Sequence, residues 1–234
     1  MLQVSELCVF RGGKKVLHGI DMRIAPGQIT ALVGANGAGK SSTVLAIGGV
    51  LPVQSGRVEW DGQALHNCRP EVVRAAGIAV VPEGHRVLGD LSVQDNLRAA
   101  ATHLSVAEAM RGIERVLAIF PELKDKLGAT GRSLSGGQKQ MVCVAQALIV
   151  SPRYLVVDEL SLGLAPTVVK RLAEVLQRAA ADGVGVLLIE QFTTLALSLA
   201  TQAYVLERGR MAFAGTAADL RDQPEILHSS YLAA

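Results

Sequence analysis

The residues best suited to chemistry lie in a glycine-rich segment near the start of the chain. Residues 34–41 read Gly-Ala-Asn-Gly-Ala-Gly-Lys-Ser and match the pattern G-x-x-x-x-G-K-[ST]. Glycines let the backbone wrap a phosphate with its N–H groups pointing inward, and the following helix start adds positive potential. The pattern predicts that Lys40 reaches the β- and γ-phosphates of a nucleotide and that the Ser41 hydroxyl ligates Mg²⁺. The alternative is a glycine-rich turn that binds nothing. The residues predicted to hold the nucleotide in this phosphate loop are Gly34, Asn36, Gly37, Ala38, Gly39, Lys40, Ser41 and Ser42.

Two adjacent carboxylates, Asp158 and Glu159, follow an apolar run at residues 154–157. An unpaired buried charge is costly, so a cation is expected beside them. We predict that Asp158 holds Mg²⁺ through water and that Glu159 polarises the attacking water as the general base. A solvated strand end is the alternative.

A second glycine-containing loop, Leu-Ser-Gly-Gly-Gln at residues 134–138, precedes a helical pattern. Its glycines permit close approach of the backbone, and Ser135 can hydrogen-bond a phosphate oxygen. Ser135 could equally be an ordinary helix cap. Because the chain already has one phosphate loop, we expect Ser135, Gly136 and Gly137 to serve a nucleotide held by a partner subunit, so that hydrolysis requires a face-to-face dimer.

The elements around these residues predict an α/β fold. Apolar runs at residues 30–33, 77–81, 154–157 and 184–189 are typical of buried parallel strands joined by helices. Three short strands at residues 2–9, 21–24 and 56–60 predict a small antiparallel layer beside the core. Residues 93–120 have a helical pattern within a helical sub-lobe, residues 203–213 predict a closing hairpin, and the tail to residue 234 is predicted to be helical.

Composition limits the possible classes of protein. The 234 residues include 50% hydrophobic residues and carry a formal net charge of +2, without a basic block, so no nucleic-acid partner is expected. Three widely spaced cysteines fit neither a disulfide framework nor a zinc site. No apolar run reaches the ~20 residues of a membrane span. We therefore expect one domain with a sub-lobe.

The order of the phosphate loop, the Leu-Ser-Gly-Gly-Gln loop and the Asp-Glu pair resembles the ABC ATPase family over essentially the whole chain. The resemblance implies an ATPase that uses ATP and Mg²⁺ and works as a dimer with a second ABC ATPase subunit beneath two transmembrane permease subunits. It implies a peripheral location on the cytoplasmic face of the plasma (inner) membrane. It also divides the single domain, residues 1–234, into a nucleotide lobe (residues 1–84 and 151–234) and a helical lobe (residues 85–150).

A finer resemblance is to the smaller ATPase subunit of branched-chain amino acid importers. It rests on residues 81–84 (Val-Pro-Glu-Gly), 161–166 (Ser-Leu-Gly-Leu-Ala-Pro) and 189–191 (Ile-Glu-Gln). It implies a solute-binding protein, periplasmic or extracellular, as an indirect partner, and favours a heterodimer, although a homodimer stays open. The alternatives are urea or amide import, lipid-type export, and a nucleotide-binding regulatory subunit with weak hydrolysis.

Several positions depart from the usual family pattern. Glu83 replaces a glutamine and is predicted to strengthen a cation contact. Gln191 replaces a histidine, and its amide can donate to phosphate but cannot titrate. Where an adenine-stacking tyrosine is usual, Phe10 or Arg11 would cover the base, and the alternative is a surface arginine beside a core phenylalanine. Two further departures are Leu160, which replaces a proline and could loosen the following loop, and Gln146, which replaces an arginine.

Overall fold

The computed structural model describes residues 1–223 and 225–227 and contains two β-sheets with helices packed around them. A four-stranded sheet has the order β2-β1-β4-β5, and a six-stranded sheet has the order β10-β9-β3-β8-β7-β6. The predicted α/β class is confirmed. The strands are β1 Leu2–Arg11, β2 Lys14–Ile24, β3 Ile29–Val33, β4 Val53–Trp60, β5 Gln63–Ala64, β6 Ile78–Val81, β7 Tyr154–Asp158, β8 Gly185–Glu190, β9 Gln202–Glu207 and β10 Arg210–Thr216.

In the six-stranded sheet, the phosphate loop and the Asp-Glu pair both lie at the carboxyl ends of parallel strands. Strands β6, β7, β8, β3 and β9 run parallel, and every residue of β3, β7 and β8 is buried, which explains their uninterrupted apolar sequences. Val33 lies opposite Glu190 and Asp158 lies opposite Ile189. The carboxyl ends of three strands therefore meet at one place, as expected for ligand sites in parallel sheets.

The predicted closing hairpin is confirmed. Strands β9 and β10 pair antiparallel through the two turn residues Arg208 and Gly209, which have φ values of 45° and 75°. Two positive φ values in a two-residue connection are typical of the type I′ hairpin turn.

The antiparallel sheet is larger than predicted, since β1, β2 and β4 have 10, 11 and 8 residues. The pairing register of β1 shifts near Glu6, which has a φ of 47°, and the Glu6 carbonyl lies against Gly56 of β4. A bulge of this kind interrupts the alternation of buried and exposed residues by which a strand is recognised. The predicted antiparallel layer is present and residues 2–9 cover most of β1, but residues 21–24 and 56–60 are only the last parts of β2 and β4, so these two strands were predicted too short.

Three α-helices lie within residues 85–150 of the described chain. The helical pattern predicted over residues 93–120 is divided between two of them, Val93–Ala100 and Val106–Ile119, and Ser105 begins the second with a capping box formed with Glu108. The six-residue helix α2 was not predicted. The helices are α1 Lys40–Ile47, α2 Pro70–Ala75, α3 Val93–Ala100, α4 Val106–Ile119, α5 Gly136–Leu148, α6 Pro166–Ala181, α7 Thr193–Leu199 and α8 Ala217–Asp222.

The predicted helical tail is confirmed over α8, while residues 224 and 228–234 lie outside the described residues. Two apolar cores hold the described part of the chain together. One lies between the two sheets, around Leu32 and Ile47, and the other joins the helical lobe to the central sheet around Phe120 and Leu155. Burying each such side chain contributes about 1.5–3 kcal/mol. None of the described helices is both long and apolar enough to cross a bilayer.

Candidate nucleotide-binding site

The phosphate loop connects β3 to α1 through backbone conformations that favour glycine. Gly39 has a φ of 112°, and a Cβ at this position would lie 2.8 Å from Leu17 Cδ2. The helix begins at Lys40, whose Nζ donates hydrogen bonds to the carbonyl oxygens of Gly34 (2.8 Å) and Ala35 (3.0 Å). The ammonium group is therefore held within the loop that would surround a phosphate.

Lys40 is buried among carboxylates. It is only 5% exposed, and burial lowers its pKa, while nearby Glu159, Asp158, Glu83 and Glu190 act in the opposite direction. One cation facing four acidic groups leaves this edge of the sheet with excess negative charge. A further cation would relieve that repulsion.

Asp158 is the most perturbed of these acids. Its side chain is 4% exposed, and burial raises its pKa to about 6, with Glu159 and Glu83 adding to the increase while the Ser41 hydroxyl and Lys40 oppose it. Its Oδ1 atom is buried and accepts no hydrogen bond. A buried carboxylate oxygen without a partner, beside a hydroxyl, suits the oxygen ligands that Mg²⁺ prefers.

The protein groups would not surround a metal by themselves. No set of three or more His, Cys, Asp or Glu side chains among the described residues could hold a metal ion. Mg²⁺ is commonly bound by one or two protein ligands together with phosphate oxygens and water. Ser41, Asp158 and Glu83 fit that pattern.

Glu159 is held in a left-handed backbone conformation, with a φ of 53°. Its N–H donates to the carbonyl oxygen of Ile189 at 2.9 Å. Burial raises the pKa of its half-buried carboxyl, Glu83 raises it further, and Lys40 lowers it. A raised pKa brings a carboxylate closer to the range in which it accepts a proton at neutral pH.

These residues surround a cavity of about 550 Å³. Glu83, Glu159 and Gln191 line it from three different segments, whereas the buried Asp158 does not line it. Phe10 is 42% exposed but lies outside the lining, whereas Arg11 lines it, so the guanidinium plane of Arg11 is the better placed of the two to cover a base. The lining residues are Arg11, Val16, Asn36, Gly37, Gly39, Lys40, Ser41, Ser42, Glu83, Glu159, Leu162 and Gln191.

Sequence reasoning missed two of the lining residues, Val16 and Leu162. Leu162 is 43% exposed in the loop that follows the Asp-Glu pair, and a large apolar residue so close to two carboxylates is a signal that could have been used. Val16 lines the cavity because of where β2 lies in the folded chain, and nothing in the neighbouring sequence indicates this. Two predicted residues, Gly34 and Ala38, shape the phosphate loop without lining the cavity.

The Leu-Ser-Gly-Gly-Gln loop lies in the helical lobe and contributes nothing to this cavity. Ser135 caps α5, since its Oγ accepts from the N–H of Gln138 (3.3 Å) while Gln138 Oε1 accepts from the N–H of Ser135 (3.0 Å). Capping uses the hydroxyl as an acceptor and leaves its proton available to a phosphate. Ser135 and Gly136 are exposed, so a second subunit can reach this loop.

Two departures from the family pattern now have a structural account. Leu160 is fully buried, and the next residue, Ser161, is hydrogen-bonded to Glu190 through its backbone N–H and its hydroxyl. Gln146 donates to the carbonyl oxygen of Asn96 at 3.0 Å and thereby joins α5 to α3.

Comparison with known proteins assigns the family. A sequence profile described as ABC transporter matches residues 17–161. The chain belongs to the ABC transporter family. It is 35% identical to the high-affinity branched-chain amino acid transport ATP-binding protein BraG of Pseudomonas aeruginosa, with 97% of each chain covered. It is 34% identical to the probable branched-chain amino acid transport ATP-binding protein LivF of Archaeoglobus fulgidus, with 94% of each chain covered.

Solved structures agree with this assignment to the ABC transporter family. An ATP-binding subunit of an ABC transporter superimposes with a TM-score of 0.84 at 31% identity, over 98% of this chain and 95% of the other. The ADP conformation of MJ1267, an ATP-binding cassette of an ABC transporter, gives a TM-score of 0.85 at 22% identity over 97% of each chain and shows the shared fold. The chain is therefore an ATP-binding and ATP-hydrolysing ABC protein.

Proposed function

We propose that this chain powers the import of branched-chain amino acids as a peripheral subunit on the cytoplasmic face of the membrane. The observation that carries the proposal is the similarity to BraG and LivF along nearly the whole of each chain. The lipopolysaccharide export protein LptB of Escherichia coli is 27% identical, so the export alternative has weaker support. Urea or amide import and a regulatory subunit are the remaining alternatives.

Within the cavity, each group has a distinct proposed role. Lys40 would exchange its bonds to loop carbonyls for the β- and γ-phosphates, and Gln191 would donate to a phosphate oxygen. Ser41, Asp158 and Glu83 would hold Mg²⁺, which supplies neutralisation of phosphate charge when bound. The carboxylate of Glu159 would accept a proton from the attacking water.

A second ATPase subunit completes the site in this proposal. The exposed Ser135 and Gly136 and the half-buried Gly137 lie in the helical lobe, apart from the cavity of their own chain. They would contact the nucleotide of the partner, which is either an identical chain or a related ATPase.

The two permease subunits would dock between the lobes. A cavity of about 230 Å³ lies there, lined largely by apolar residues together with Arg74 and Arg86, and none of the described residues lining it is acidic. Arg74 Nη2 donates to the carbonyl oxygens of Ala100 (2.8 Å) and Gln146 (3.2 Å), while its Nε is buried without a partner. Burial lowers the pKa of Arg74. An apolar segment carrying a carboxylate would complement this cavity, and a solute-binding protein would act indirectly through the permease.

The proposal is tested in proteoliposomes that contain this chain with its copurified membrane subunits. Uptake of labelled leucine driven by ATP is expected, whereas labelled urea should not accumulate. Glu159→Gln should bind Mg-ATP normally, accumulate a nucleotide-bound dimer and abolish uptake. Uptake of urea without leucine would refute the cargo assignment, and normal hydrolysis by Glu159→Gln would refute its role as general base.

A further inference from the structure

Glu190 is a buried carboxylate to which no catalytic or metal-binding role has been assigned above. It ends β8, beside Gln191, and is 1% exposed. It does not line the nucleotide cavity. Since isolated buried carboxylates are costly, its presence requires specific partners.

Those partners all belong to the loop that follows Glu159. Glu190 Oε1 accepts from the backbone N–H of Ser161 at 3.0 Å, and Oε2 accepts from the Ser161 hydroxyl at 2.9 Å. Burial raises the pKa of this carboxylate, while Ser161 and the backbone N–H of Leu160 oppose that increase. A proline at position 160 would have no N–H to donate.

The same loop contains the strained residue of the site. Glu159 has a φ of 53°, and its N–H is bonded to Ile189, the neighbour of Glu190. Glu159 and Ser161, on either side of Leu160, therefore both donate their backbone N–H groups to the end of β8. Left-handed conformations of non-glycine residues persist only where surrounding contacts hold them.

We propose that Glu190 is a positioning residue that fixes the backbone of Glu159 and so aims its carboxylate at the attacking water. The proposal rests on the general-base role of Glu159. Hydrogen bonds to a charged acceptor are stronger than those to a neutral one, so an ionised Glu190 holds this loop more firmly than an amide could. Small displacements of a catalytic group reduce the rate of the chemical step more than the affinity for substrate.

The test compares Glu190→Gln with the unchanged full-length chain in single-turnover hydrolysis of ATP at saturating Mg²⁺. The glutamine is nearly isosteric, but its Nε2 cannot accept from either Ser161 group. The hydrolysis rate should fall about tenfold or more, while the Kd for Mg-ATP changes less than about twofold. If Glu190 had only a structural role, Glu190→Gln would lower the Tm and leave the rate of ATP hydrolysis unchanged at temperatures below that Tm. The exposed helical-lobe variant Glu114→Gln is the matched control and should leave both quantities unchanged.

A second variant keeps the test decisive if Glu190→Gln fails to fold. Ser161→Ala removes only the hydroxyl donor from a half-buried loop and should reduce the rate about threefold. If each of these two variants that folds hydrolyses ATP at a rate within about 1.5-fold of the unchanged chain, the proposal is wrong.

A double variant separates this proposal from the role of Glu159. If Glu190 acts through Glu159, Glu190→Gln should cause no further loss of rate in a Glu159→Gln background. An additional tenfold loss there would contradict the proposal. Normal hydrolysis by Glu159→Gln alone would instead refute the general-base role, which is a separate outcome.

Discussion

Removing the charge of Asp158 should stabilise the nucleotide-free protein and abolish its stabilisation by Mg-ATP. The carboxyl is 4% exposed, and burial is the main reason why its pKa is raised from 3.8 to about 6. One pKa unit corresponds to about 1.4 kcal/mol, so ionisation of this group costs the folded state about 3 kcal/mol at neutral pH.

The variant Asp158→Asn removes that cost but introduces a buried amide N–H₂ group. Because Oδ1 has no hydrogen-bond partner in the structure, the amide would be incompletely satisfied, at a cost of about 1–2 kcal/mol. The net gain is about 1–2 kcal/mol, which raises the Tm of a chain of this size by about 2–8 °C.

The gain should depend on pH. The folded-state pKa of Asp158 is higher than its unfolded value, so the contribution of this group to stability is complete below about pH 4 and is lost as the pH rises through about 6. The advantage of Asp158→Asn over the unchanged chain should therefore be full at pH 7.5 and smaller at pH 5.

Thermal unfolding by calorimetry, with and without Mg-ATP, measures both effects. Ligand at about 100 times its Kd stabilises a protein by about 2.7 kcal/mol, and this increment should disappear in Asp158→Asn. The exposed Asp125→Asn serves as the control and should change stability by less than about 0.5 kcal/mol. A lower Tm for nucleotide-free Asp158→Asn, or an undiminished response to Mg-ATP, would refute the assignment of Asp158 as a costly cation ligand.

Two further predictions concern the loops. Gly39→Ala should lower the free energy of unfolding in urea by about 2–3 kcal/mol, since the new methyl would combine a φ of 112° with a clash against Leu17. Gly37→Ala, with a φ of 81° and no atom within 4 Å of the new Cβ, should cost only about 1 kcal/mol, and equal losses would contradict this reasoning. Ser135→Ala should destabilise α5 by about 1 kcal/mol through loss of the cap and should slow hydrolysis with unchanged ATP binding by the monomer. Normal hydrolysis in that variant would leave Ser135 as a cap alone.

The extent to which the fold could be predicted depends on burial. Strands β3, β7 and β8 are buried on both faces, so their sequences are continuous apolar runs that indicate them directly. Strands β2 and β4 interleave buried and exposed residues and contain no continuous apolar run, so the sequence indicated only their last parts, residues 21–24 and 56–60. Helix α2 is too short to show a helical period.

In the candidate site, motifs made of adjacent residues could be predicted from the sequence, whereas contacts between residues distant in the chain could not. The phosphate loop and the Asp-Glu pair are recognisable because the residues of each motif are neighbours in the sequence. Val16 joins the cavity from β2, and Glu190 folds back onto Ser161 across 29 positions of sequence. No local pattern records such a contact, because it exists only after β7 and β8 have paired.

The charges of the site explain why an ATPase would keep so many acids beside a phosphate-binding loop. Glu83, Asp158, Glu159 and Glu190 surround the single ammonium of Lys40, and each raises the pKa of that lysine. Free ATP would meet net repulsion there, whereas Mg-ATP brings the cation that the carboxylates lack. A glutamate at position 83 in place of glutamine would increase this dependence, since it adds a negative charge to the site proposed for the metal. The carboxylates and the phosphate loop are therefore complementary to the metal and the nucleotide together, and to neither one alone.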